Sequence, residues 1–381
     1  MKLNVIKSDT INTDIRNDYT AGTGEYDAVM PALSYLALIA QEGLLYDLST
    51  IEELDLSAPW FDRNATEAFS VANKAYFTTG DITILNKVCT PSILFNKDMI
   101  EEYSLDDPYQ LVRDHQWTFD KMIEMAKTVT SINSPDDLIS NENIYGLLTS
   151  YNDALGIYGA ANQKICGKDQ DDLPYLNITS AESINILQKI LETFQEGNWY
   201  VYAQEFPEPI WTTSFATFLE GRALFRPSAF SATTKARQQS DLNFGIIPSP
   251  LWSEEQDEYC SYCGSGEVAG IAIPMVCDDP EYSAYIIEML SAEAKNTITP
   301  AYYEVNLKRK DARDSESLEM LDIIFNNIIY DTGEVYNFGG VKGVLDSLMS
   351  SRSTDIVSSL DSIKDIMQTK IDEIIENYNN D

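Results

Sequence analysis

The chain holds a single histidine, His115, in the polar run Arg113-Asp114-His115-Gln116-Trp117. Ser-His-Asp or Cys-His chemistry would have to use it as the base. A polar run just ahead of a helix start predicts an exposed loop residue instead. Five cysteines are present, Cys89, Cys166, Cys260, Cys263 and Cys277, an odd and sparse set that is no disulfide framework. Cys260-Ser261-Tyr262-Cys263 has the spacing of zinc and redox motifs. A structural zinc needs two further ligands, and a redox pair opens a helix, whereas Gly264-Ser265-Gly266 follows here. These read as loop cysteines. Carboxylate neighbours such as Glu52-Glu53 and Asp106-Asp107 arise by chance among 61 acidic residues. A glycosidase needs two carboxylates held across a bond, which spacing along a chain does not show. The sequence has no phosphate-binding glycine loop, no dinucleotide fingerprint and no metal-binding helix motif. No cofactor and no metal are called for.

What remains is aromatic. The chain has 22 Tyr, 14 Phe and 5 Trp, and Trp60, Trp211, Trp252, Tyr259 and Tyr262 fall in expected loops. Flat rings stack on the apolar faces of sugars while carboxylates and amides serve their hydroxyls, so a cleft rich in both suits a neutral polyol. Each aromatic taken singly reads first as core. The formal net charge is -35. A nucleic-acid binder needs a basic footprint, and an anionic membrane face would repel this surface equally.

The elements that must position such residues are legible in part. Short apolar runs alternate with helical patterns in 381 residues, an α/β chain long enough for two cores. Strands are expected over Leu3 to Ile6, Tyr26 to Met30, Ile82 to Leu85, Ser92 to Phe95, Ala223 to Phe225, Phe244 to Ile247 and Val268 to Ile273. Thr118 is placed to cap a helix running to Val129, with Met122, Ile123, Ala126 and Val129 inward. Thr179 and Glu182 form a capping box for a helix that Gly197 ends. Asp279-Pro280 opens another, with Tyr282, Tyr285, Ile286 and Leu290 inward. Further helices follow around Leu318 to Ile328 and from Ser353 onward. No stretch approaches the ~20 apolar residues of a membrane span.

Six phrases, in order, resemble one family. They are Gly22-Thr23-Gly24-Glu25-Tyr26-Asp27 leading to Gly43-Leu44-Leu45-Tyr46-Asp47-Leu48, then Phe95-Asn96-Lys97-Asp98, then Trp117 to Met122. Phe218 to Leu224, Phe244 to Pro250, and Ala272-Ile273-Pro274 with the Pro280 helix complete the set. Together they resemble the sugar-binding type (family 1) of ABC-transporter extracellular solute-binding proteins. Members open with a leader, a strand and a long helix ahead of the strand that Leu3 to Ile6 resembles, so Met1 is read as a truncated start.

The resemblance implies a two-lobed, periplasmic-binding-protein-like α/β fold of type II, each lobe a mixed sheet flanked by helices with a hinge between. Residues 1–86 and 248–300 would form lobe one, and residues 87–247 and 301–381 lobe two. A monomer would close on a saccharide, then meet the membrane permease subunits of an importer, as a lipoprotein or periplasmic protein. The implied ligand contacts are Ser34, Tyr35, Thr79 and Asp81 in lobe one and Arg226 and Phe230 in lobe two, with Trp211, Trp252 and Tyr262 beside them. A carbohydrate-active hydrolase, or a ligand-sensing surface domain uncoupled from transport, would use the same frame.

Overall fold

The computed structural model describes residues 10–137, 139–195, 197–303 and 315–380, and the strand expected over Leu3 to Ile6 lies outside them. The strands are β1 (Pro91–Asn96), β2 (Tyr145–Thr149), β3 (Cys166–Lys168), β4 (Pro174–Leu176), β5 (Tyr200–Tyr202), β6 (Ala223–Ala229), β7 (Phe244–Ile247), β8 (Ser261–Tyr262) and β9 (Ile328–Ile329). Lobe two is built on a five-stranded sheet of order β5-β2-β6-β1-β7. There β2 lies parallel to β5 and β6, while β1 runs antiparallel to β6 and β7. Both faces are covered. Trp117, Phe119 and the helix Phe119–Val129 pack on one, and the helices Ile210–Leu219 and Ser315–Asn326 pack on the other.

Lobe one is looser in its pairing. Residues 269 to 274 run between two neighbours, joined by single bridges of Ala269 to Ala32, Ala272 to Val29, Ile271 to Thr78 and Pro274 to Leu45. The strands expected at Tyr26 to Met30 and Val268 to Ile273 are therefore bridged segments. Ile82 to Leu85 is no strand either. Thr83 and Ile84 turn back to donate to the Gly80 carbonyl, and a helix, Leu85–Cys89, follows. The helices Leu33–Ala40, Arg63–Phe69 and Pro280–Asn296 cover this lattice.

Caps place the helices much as expected. The Thr118 side chain accepts from the Lys121 N–H, and the Asp279 side chain from the Tyr282 N–H. One cap shifts by a residue, because it is the Ser180 Oγ that accepts from Ser183 N–H (3.1 Å), with the helix running Ala181–Gln195. The helix Pro280–Asn296 shows its other face. Tyr282, Tyr285 and Leu290 are exposed, and Ser283, Ala284, Ile287, Ser291 and Ala294 point inward. Small side chains let this helix lie close on lobe one.

The lobes meet through several crossings. Leu251 pairs with Thr118 and Trp252 stacks on Phe119, while the Ser265 carbonyl accepts from the Ser34 N–H. Residues 328 to 336 form a strap bonded to both sides. Tyr330 donates to Asp62, Thr332 to the Ala68 carbonyl and Tyr336 to the Phe69 carbonyl, all in lobe one. Asp331 meanwhile accepts from the N–H groups of Ile165 and Cys166 in lobe two.

Candidate ligand-binding site

In open α/β sheets the groups that meet ligands gather beyond the carboxyl ends of the strands. Here β2, β5 and β6 end together on the side of lobe two from which the chain crosses to lobe one. The turn out of β2 is closed by Asp153, whose Oδ2 accepts from Thr149 Oγ1 (2.7 Å) and the Ser150 N–H (2.9 Å). Gln204, after β5, donates from Nε2 to Ser150 Oγ (2.8 Å). The rings of Tyr151 and Tyr202 lie 4.4 Å apart.

Arg226 projects from β6 at this end, opposite Leu94 of β1. It is 8 % exposed, and its guanidinium sits 5.1 Å from the centre of the Phe215 ring. It makes no hydrogen bond to a described residue, and both its Nε and the Ser228 Oγ two residues on are buried without a partner. Burial pulls the Arg226 guanidinium down to about 10, opposed by Asp153. Burial likewise raises the Asp153 carboxyl, against the bonds from Thr149 and Ser150 and the Arg226 charge. Trp211, 54 % exposed, stands one helical turn before Phe215 on the same helix.

On the lobe-one side, Ser34 and Tyr35 are half-buried in the first turn of Leu33–Ala40. The Ser34 N–H donates to the Ser265 carbonyl (3.3 Å), and the Ser265 N–H donates to Glu334 Oε2 (3.0 Å). Glu334 is raised to about 7, chiefly by burial and secondarily by Asp331, with Ser265 and Lys342 opposing.

The remaining expected contacts sit elsewhere. Thr79 is wholly buried and donates to the Ala269 carbonyl (2.8 Å). Asp81 accepts from Lys87 Nζ (2.8 Å) and Thr299 Oγ1 (2.7 Å). Phe230 is buried edge-on to Tyr302 and Phe325. Trp252 is stacked on Phe119, 5.4 Å away, under Lys189. Tyr262 is buried with its hydroxyl unpartnered, and its ring lies where a Cβ on Gly159 would fall. Thus Arg226 meets Phe215, Trp211 lies one turn earlier on the helix that carries Phe215, and Ser34 and Tyr35 are neighbours in one turn. Sequence reasoning missed Asp153, Phe215 and Glu334. The polar turn Thr149 to Asp153 directly after a short apolar run was the available signal.

Two concavities lie apart from this place. One of about 640 Å³ on lobe two is lined by Asp106, Asp107, Asp114 and Glu124 around Lys121. Another of about 420 Å³ lies between Asn64 and Glu67 of lobe one and Lys164 and Lys168 of lobe two. In the second, Lys168 is already engaged by the Glu67 and Ser70 carbonyls and by Asp172. The first is the larger, but its acidic lining is what a solvated face of this chain looks like, and neither holds the unpartnered buried groups found at the strand ends.

Two α/β lobes joined by several crossings define a protein of the solute-capturing class. The chain belongs to the bacterial extracellular solute-binding proteins, which it matches over residues 2–274. No curated protein matches it. Among solved structures, its fold is similar to an extracellular solute-binding protein from Staphylococcus aureus in complex with maltose, at 15% identity and a TM-score of 0.65, over 97% of this chain and 90% of that one. UspC of M. tuberculosis gives 14% identity and 0.63 over 96% and 91%. The GacH receptor of Streptomyces glaucescens, described unliganded and with acarbose, gives 12% and 0.61 over 95% and 89%.

Proposed function

We propose that the protein captures a saccharide between its lobes and delivers it unaltered to the membrane permease subunits of an ABC importer. It would act as a monomer outside the cytoplasmic membrane, on the cell surface or in a periplasm. The observation that carries this is the pair of buried, unpartnered groups at the sheet end, Arg226 Nε and Ser228 Oγ, with an exposed tryptophan, Trp211, on the helix whose Phe215 backs the guanidinium. A buried donor without an acceptor costs about 1–3 kcal/mol, and a polyol supplies acceptors and donors together. Trp211 offers a ring face to the apolar side of a pyranose. Similar folds holding maltose and acarbose support the ligand class.

Ligand would draw Ser34 and Tyr35 of one lobe toward Trp211 and Arg226 of the other, so that occupancy reads out as closure. The hinge would use the crossings near Asn86 and near Thr299, and residues 248–263 would move with lobe two. Among the described residues no helix is long and apolar enough to cross a membrane.

A thermal-shift screen over neutral and acidic oligosaccharides, amino acids and polyamines tests the reading. A ligand at a hundredfold excess over its dissociation constant stabilises by about 2.7 kcal/mol. Saccharides should give the largest rise in Tm, and Trp211→Ala should abolish it. A rise with polyamines alone, or a cleaved glycan recovered afterwards, would overturn the assignment.

A further inference from the structure

Arg226 is buried, carries five N–H donors, and gives none of them to a described residue. This happens in a chain with 61 acidic residues, where a partner carboxylate is the easiest thing to supply. The acid whose charge reaches it, Asp153, does not claim it. Asp153 turns its Oδ2 to Thr149 and Ser150 and lies beyond ion-pair reach of the guanidinium. Phe215 backs the guanidinium at 5.1 Å. A planar fork held against a ring, with free N–H edges, matches a planar two-oxygen anion. One unpaired guanidinium balances one negative charge, as a carboxylate carries, rather than the two of a phosphate monoester.

We infer that the captured saccharide is a uronide, its carboxylate received by Arg226 and its ring by Trp211. This rests on the saccharide reading and narrows it, replacing the neutral polyol that the aromatic-rich sequence suggested. The Ser228 hydroxyl, two residues along the same face of β6, is placed to serve the same sugar.

The test is calorimetric titration of galacturonide, glucuronide and mannuronide oligomers beside their carboxyl-reduced, neutral counterparts. The wild-type chain should bind one acidic series at least tenfold more tightly than its neutral partner. Arg226→Met should erase that preference, weakening the acidic series at least tenfold more than the neutral one, and a cooperative thermal melt shows that the variant folds. Arg226→Lys, which keeps the charge and loses the fork, should retain an intermediate preference and serves if the Met variant does not fold. Neutral sugars bound as tightly as acidic ones, or a preference that survives Arg226→Met, would overturn the uronide inference and leave saccharide capture standing. If neither series binds, both readings fall.

Discussion

Asp81 is 3 % exposed, and its Oδ1 accepts from both Lys87 Nζ and Thr299 Oγ1. Its sequence setting, a carboxylate after Thr79-Gly80, fits a ligand contact equally well, and only the partners found in three dimensions decide between the two. Lys87 lies just beyond the turn and Thr299 is 218 residues away. Such a carboxylate joins a crossing to its lobe rather than greeting a guest. Removing one member of a buried pair leaves the other charge poorly compensated, at a cost of up to about 3 kcal/mol. Asp81→Ala should therefore lower the urea midpoint clearly, while any saccharide that binds the folded variant does so with affinity within a factor of about three. Loss of affinity at unchanged stability would return Asp81 to the binding site. Arg226 is the converse case: its place after the Ala223 strand fits a ligand contact or an interlobe ion pair alike, and its lack of an ion-pair partner is what marks it.

At the scale of elements, local chemistry was the reliable guide. The cap on Phe119–Val129 is the Thr118 side chain, 3.2 Å from the Lys121 N–H, and Met122, Ile123, Ala126 and Val129 are all buried as their spacing requires. Thr118→Ala should cost about 1 kcal/mol and Thr118→Ser much less, read as urea midpoints at constant slope. Equal losses in the two variants would mean that the hydroxyl is not what matters. Strands were harder to see where both faces are covered. In β2 all five residues are buried, so no alternation marks it, and Gly146 is present because a Cβ there would fall 2.1 Å from the Ala126 carbonyl oxygen. Lobe one hid for a different reason, since its pairing is by single bridges between segments far apart in the chain. The helix Pro280–Asn296 turns inward a face other than the one its apolar spacing suggests. Apolar residues also populate surfaces, and here Ser283, Ala284 and Ser291 make the close contact. The resemblance named Ser34, Tyr35, Trp211 and Arg226, but Asp153, Phe215 and Glu334 were not legible, because each depends on which strand ends and segments lie side by side.

For the whole molecule, the strap between the lobes carries two carboxylates strongly displaced by their surroundings. Asp331 stands at about 6 and Glu334 at about 7, each raised first by burial. Around Asp331, the N–H groups of Ile165, Gly333 and Cys166 and the charge of Lys164 oppose that rise. Around Glu334, Asp331 adds to it, while Ser265 and Lys342 oppose it. The sign follows from linkage. A carboxyl whose value is higher in the packed state than in the hydrated one favours packing when protonated. That contribution is whole below the ordinary values of 3.8 and 4.5 and is lost as pH rises through about 6 and 7. At about 1.4 kcal/mol per pH unit of displacement, each group weakens the junction by up to ~3 kcal/mol at alkaline pH. The molecule should then be more stable near pH 5 than near pH 8 in thermal melts. General repulsion at a net charge of -35 acts in the same direction, so the difference between variants isolates the strap. Glu334→Gln, which keeps an acceptor for the Ser265 N–H, should raise Tm at pH 8 and narrow the gap to pH 5. Because closure depends on the same packing, saccharide affinity should also fall from pH 5 to pH 8 in the parent chain, and less so in the variant. An identical pH profile for parent and Glu334→Gln would show that the junction does not take up a proton there.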